Sequence, residues 1–125
     1  MSAEVILITG IMAAGKSTVA QHLAEQLPRS VHLRGDIFRR MIVNGRVEIE
    51  PDLAEEAYEQ LRLRYRLAVT VAGEYCAAGF TVVYQDMILG ADLADVVNML
   101  KANEAVRRLR VIVLCPSPEV VAQRE

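Results

Sequence analysis

The sequence predicts an α/β domain whose mainly parallel sheet lies between two layers of helices. Three observations predict it. Apolar β-branched runs alternate with helix-length segments along the chain, and parallel neighbours need such crossover connections. The first run, Val5-Ile6-Leu7-Ile8, has no polar alternation and reads as a strand buried on both faces. It leads directly into Gly10-Ile11-Met12-Ala13-Ala14-Gly15-Lys16-Ser17, which has the glycines, lysine and hydroxyl of a phosphate-binding loop in order.

The loop is informative because of its setting between a strand and a helix. Its glycines allow a tight turn that aims successive backbone N–H groups at phosphate oxygens, and the following helix adds the partial positive charge of its N-terminus. Lys16 would reach the β- and γ-phosphates, and the Ser17 hydroxyl would ligate Mg²⁺.

The helix after the loop is expected from Ser17 to Leu27, with Val19, Ala20, Leu23, Ala24 and Leu27 as its apolar stripe and Pro28 as its stop. Ser30-Val31-His32-Leu33-Arg34 reads as the second strand, ending at Gly35-Asp36, and Ile37 to Val43 as a short helix broken by Asn44-Gly45. A long helix is expected from about Asp52 to Ala78. Pro51-Asp52 and Glu55 suggest its cap, while Ala54, Tyr58, Leu61, Tyr65, Ala68, Ala72 and Tyr75 suggest its buried face, with Gly79 ending it. Phe80 to Gln85 is the third strand, with Asp86 at its carboxyl end. Leu93, Val96, Val97 and Leu100 mark the next helix, Arg110 to Cys115 the fourth strand, and Ser117-Pro118-Glu119 a helix start.

In such a sheet, ligands bind beyond the carboxyl ends of the strands. The phosphate loop, Asp36 and Asp86 all fall there. Phosphoryl transfer to a hydroxyl needs a phosphate cradle, Mg²⁺ and a carboxylate that orients or deprotonates the acceptor. Asp36 is the candidate for that carboxylate, against its alternative as a turn aspartate. Asp86 could hold Mg²⁺ through water or bind the acceptor, and could instead be a loop or capping aspartate. Arg39, three residues past Asp36, could clamp an anionic acceptor or steady Asp36. Tyr58, Arg62 and Tyr65 could line the acceptor pocket. Arg62, Arg64 and Arg66 otherwise read as a solvated helix face, balanced by Glu55, Glu56 and Glu59. His22 and His32 have no sequence neighbours that suggest a metal site.

The 125 residues are expected to form a single domain over 1–125, and 53% hydrophobic content supplies a real core. A net charge of −2 gives no global attraction to nucleic acid or anionic lipid. No apolar run has the length of a membrane span and no signal segment precedes the first strand, so a cytoplasmic protein is expected. Cys76 and Cys115 read as buried thiols.

The residues Gly10 to Thr18, Gly35-Asp36-Ile37-Phe38-Arg39, Gln85-Asp86, and Cys115-Pro116 with Arg124-Glu125 resemble a P-loop kinase group. It contains chloramphenicol phosphotransferase-like enzymes and polynucleotide 5′-hydroxyl kinases. The resemblance implies a P-loop three-layer α/β/α fold with strand order 2-3-1-4 and a fifth strand absent here. It implies Asp36 as the base, Asp36 and Arg39 as an Asp-x-x-Arg pair, and Asp86 as the aspartate after the third strand. The activity implied is ATP- and Mg²⁺-dependent phosphorylation of a hydroxyl on a small molecule or a nucleic-acid end. Members of the group continue into a lid helix with arginines, a further strand and an adenine-contacting loop. Only Arg124 can represent the lid here, so the domain is expected to be C-terminally incomplete, with weakened nucleotide binding and poor turnover.

Two other readings stay open: a nucleotide-dependent ATPase or switch module, and a degenerate kinase that binds nucleotide without chemistry. GTPase identity is disfavoured, since no Asn-Lys-x-Asp motif is present and the glycine after Asp86 is Gly90, four residues on. Neither the acceptor nor the oligomeric state is legible.

Overall fold

The computed structural model describes residues 4–10, 15–48, 55–88 and 90–114. Among them, β1 (Glu4–Gly10), β2 (Ser30–Arg34), β3 (Thr81–Gln85) and β4 (Arg108–Leu114) form one parallel sheet in the order β2-β3-β1-β4. The helices are α1 (Lys16–Glu25), α2 (Asp36–Arg40), α3 (Glu55–Ala77) and α4 (Ala91–Ala102). The expected fold and strand order are those observed.

β1 shows why the order is stable. It lies between β3 and β4, and all seven of its residues are buried. Its side chains alternate between two cores. Val5 and Leu7 meet Tyr65, Ala68 and Ala72 of α3 with Val96 and Leu100 of α4, whereas Ile6 and Ile8 meet Ala20 and Ala24 of α1. Each buried Val, Leu or Ile side chain among them contributes roughly 1.5–3 kcal/mol. The result is three layers, with the strand before the phosphate loop at the centre.

Helix boundaries differ from expectation mainly in phase. In α1, Val19 is exposed while Leu23 and Leu27 pack at the margin of the core. In α3, Tyr58 and Tyr75 are each 40% exposed; the buried stripe runs instead through Ala57, Arg64, Tyr65, Ala68, Val69, Ala72 and Cys76. Gly79, at φ 91, ends this helix region with its N–H bonded to the Cys76 carbonyl at 2.9 Å. Cys76 is buried as expected. The expected cap at Pro51-Asp52, the stripe residue Ala54, Cys115 and the helix start at Ser117-Pro118-Glu119 lie outside the described residues.

Loops on the carboxyl side of the sheet are pinned to the core. Thr9 Oγ1 donates to the Ile88 carbonyl at 3.2 Å and accepts the Ile88 N–H at 3.0 Å, which ties the segment after β3 to β1. Gln60 of α3 donates to the Gly45 carbonyl and accepts from the Val47 N–H, holding the segment after α2. No helix among the described residues is long and apolar enough to cross a membrane.

Candidate functional site

An open cleft of about 510 Å³ lies at the carboxyl ends of β1, β2 and β3. Lys16, Ser17, Asp36, Arg39, Arg64 and Asp86 all line it. The sheet topology therefore brings together the residues that the sequence separates by up to seventy positions.

Gly15 caps α1 at φ 78, a left-handed conformation that glycine adopts without penalty. Lys16 begins the helix and is buried; its Nζ donates to the Gly10 carbonyl at 3.1 Å. Burial pushes this ammonium below its ordinary value, with Asp86 opposing the shift and Arg64 adding to it. Ser17 and Thr18 are exposed, and with Gly15, Lys16 and Gln85 they border a second, smaller hollow. Ile11, Met12, Ala13, Ala14 and Arg124 lie outside the described residues.

Asp36 opens α2 with its side chain 45% exposed. Its carboxylate accepts from Arg40 Nε at 2.6 Å and from Arg64 Nη1 at 3.2 Å. Arg39 does not steady it. That guanidinium turns to Glu48, with an Nη2–Oε2 distance of 2.7 Å, because at i+4 Arg40 is the helical neighbour that reaches Asp36.

Asp86 is almost wholly buried. Oδ1 accepts from Arg64 Nη2 at 2.5 Å and from the Met87 N–H at 2.8 Å, and Oδ2 accepts from the Tyr84 hydroxyl at 2.8 Å. Burial raises its carboxyl above the ordinary value against the pull of these donors. The Tyr84 hydroxyl, raised in turn by burial and by Asp86, stays a proton donor. This environment fits Asp86 as a charge felt across the cleft better than as a direct metal ligand, since its side chain is buried and both oxygens already accept hydrogen bonds. Ser17 is open to both hollows and fits a direct Mg²⁺ ligand. No cluster of three or more His, Cys, Asp or Glu suited to a metal occurs among the described residues.

Arg64 corrects the expectation of a solvated face. Arg62 and Arg66 are exposed, Arg62 lying over the Tyr58 ring at 5.3 Å, but the Arg64 side chain is only 6% exposed. Nor do Tyr58, Arg62 and Tyr65 line the cleft; the Tyr65 hydroxyl donates to the Met87 carbonyl at 3.0 Å. The signal for Arg64 was its phase, seven residues after Ala57 and four before Ala68, among small residues that leave room for a long side chain. Beside the cleft, Gln85 Oε1 lies 2.6 Å from His32 Nε2, and His32 Nδ1 lies 2.8 Å from Gln21 Oε1. Burial lowers the His32 ring's affinity for a proton, which Gln85 partly offsets.

A parallel 2-3-1-4 sheet with a buried lysine at the start of the helix after its central strand defines a P-loop fold of the kinase-like type. The AAA domain family model, AAA_33, matches residues 5–125, and the chain belongs to that family. No curated protein sequence matches it significantly.

Solved structures share the fold. A chain of the Pnkp1/Rnl/Hen1 complex superposes with a TM-score of 0.67 at 17% identity, over 97% of this chain and 38% of that one. The hexameric APS kinase from Thiobacillus denitrificans gives 0.65 at 22% identity, over 91% and 22%. The gluconokinase from Sinorhizobium meliloti 1021 gives 0.59 at 20% identity, over 98% and 63%. The chain thus spans less than two thirds of each of these proteins.

Proposed function

We propose that the protein is an ATP-dependent kinase that transfers the γ-phosphate to a hydroxyl of a small molecule, in the manner of chloramphenicol phosphotransferase-like enzymes, or of a nucleic-acid end. The observation that carries this reading is Asp36, a half-exposed carboxylate opening onto the same cleft as Lys16 and Ser17. The acceptor oxygen attacks the γ-phosphorus, the bond to the β–γ bridging oxygen breaks, and Asp36 takes the hydroxyl proton.

The phosphate loop from Gly10 to Thr18 is assigned to the nucleotide phosphates, with Lys16 on the β- and γ-oxygens. Mg²⁺, when bound with ATP, supplies neutralising charge at those oxygens; Ser17 is assigned as its direct protein ligand and Asp86 as a charge acting through water. Arg39, held at the cleft by Glu48, is assigned to an anionic portion of the acceptor, and Arg124 to the nucleotide. The kinase neighbours are consistent with this chemistry, and their acceptors are their own.

The test is transfer from γ-labelled ATP to a panel of nucleosides, sugars, aromatic amino-diols and oligonucleotides with free 5′-hydroxyls. Asp36→Asn is expected to lower transfer about 10²–10⁴-fold, the range for loss of a general base, while Mg²⁺–ATP affinity is kept. Wild-type transfer by Asp36→Asn would remove Asp36 from the chemistry.

A further inference from the structure

Asp36 can act as proton acceptor only if its carboxylate is held in place, and its own helix does little to hold it. α2 has five residues and no buried one, too short for intrinsic helical stability. The Gly35 N–H bond to the Gln85 carbonyl, 3.0 Å, fixes where the helix begins, and Phe38 packs at the edge of the core. Neither touches the Asp36 carboxylate. Arg40 does, but it belongs to the same short helix and is three-quarters exposed, so it moves with what it holds.

Arg64 differs in every respect. It comes from the 23-residue α3, its side chain is 6% exposed, and it ends in two carboxylates at once. Nη1 meets Asp36 and Nη2 meets Asp86. Asp86 is fixed by Tyr84, by the Met87 N–H, and through its own N–H bonded to the Ile8 carbonyl of β1 at 3.1 Å. The link therefore runs from Asp36 through Arg64 and Asp86 to the strand that leads into the phosphate loop. A planar guanidinium fork can join two carboxylates in a set geometry, whereas a lysine ammonium is a single point charge.

We propose that Arg64 is a positioning residue for phosphoryl transfer, its fork setting the Asp36 carboxylate against Asp86 and hence against the phosphate loop. The inference rests on Asp36 as the proton acceptor. Arg64 does not touch the reacting atoms; it acts through Asp36.

Arg64→Lys tests it, because the positive charge beside buried Asp86 is kept while the bridge is lost. Three readouts are compared with wild type: Mg²⁺–ATP affinity by calorimetry, the side-chain carboxyl ¹³C resonances of Asp36 and Asp86, and Mg²⁺–ATP hydrolysis with water as acceptor. The Asp36 resonance is expected to move further than that of Asp86, which loses one donor but keeps Tyr84 and the Met87 N–H. Affinity and KM for ATP should hold within about threefold, and kcat should fall about 10–100-fold, the scale of a misplaced catalytic group. Unchanged Asp36 resonance and kcat would overturn the proposal. So would a proportional loss of affinity and kcat, the mark of a purely structural arginine.

If wild-type hydrolysis is too slow to follow, the carboxyl resonances decide. If Arg64→Lys fails to fold, Asp36→Asn reads the link from its other end. The Arg64 guanidinium ¹⁵N signals should then change while the Asp86 resonance holds, and unchanged signals overturn the proposal. Absence of ATP binding by the wild type would instead count against the kinase reading, which these resonances do not depend on.

Discussion

Gly35 and Asp86 meet with no space for a side chain between them: a Cβ on Gly35 would stand 1.9 Å from Asp86 Oδ2 and 2.4 Å from its Cγ. The backbone of Gly35 is ordinary, at φ −60 and ψ −30, so the requirement is for room and not for an unusual conformation. Asp86 cannot simply swing aside, since Arg64, Tyr84 and the Met87 N–H hold it. Gly35→Ala is therefore expected to destabilise the fold by about 1–3 kcal/mol, as overpacking does, in urea unfolding. It should also shift the Asp36 resonance through the shared arginine. A stability equal to wild type would mean that Asp86 has more freedom than its three donors imply.

At the opposite end of the sheet, Glu4 accepts two hydrogen bonds from Arg110 of the neighbouring strand, at 2.5 and 3.1 Å. The Arg110 guanidinium holds this carboxyl below its ordinary value, against the opposing effect of burial, with Arg108 adding to the downward shift. A depressed carboxyl stabilises the fold above its unfolded value, and that stability is lost as pH falls through the folded one. Stability measured between about pH 6 and pH 3 should therefore decline on acidification. In Glu4→Gln the decline should be shallower, with lower stability at neutral pH. Parallel curves for the two proteins would show that the pair contributes nothing.

Cys76 is buried, its Sγ lies 3.7 Å from the Glu4 carbonyl, and burial raises its thiol above the ordinary value. Since the thiolate is the reactive form, alkylation of Cys76 in the native protein should track unfolding. Rapid labelling under native conditions would place the α3–β1 contact among the loosely held parts of the fold.

The sheet was legible because its signals are local. Val5 to Ile8 is apolar at every position, and a strand buried on both faces reads so in any context. Asp36 and Asp86 were legible as a convergence, since strand ends in a parallel sheet share one side. The arrangement around them was not. Arg64 lies 28 and 22 positions from its two partners, and a charged residue on an apolar stripe is discounted by any pattern that scores hydrophobicity alone. Tyr58 and Tyr75 misled for the converse reason: large aromatic residues suggest burial, but the sheet admits the small face of α3, with Ala57, Ala68 and Ala72. Arg39 was expected beside Asp36 from its i+3 spacing, but it pairs with Glu48, nine positions on, and Arg40 at i+4 takes the contact with Asp36.

In the kinase reading proposed above, Lys16, buried against the Gly10 carbonyl, belongs to a phosphate cradle that serves Asp36. The decisive measurement is a calorimetric titration with ATP, in the presence and absence of Mg²⁺, on the wild type, Lys16→Ala and Asp36→Asn. Mg²⁺-dependent binding is expected of wild type and Asp36→Asn alike, with a loss of affinity of at least about tenfold in Lys16→Ala, the scale of one charge-assisted contact to phosphate. Equal affinity in wild type and Lys16→Ala, or no binding by the wild type, would contradict it.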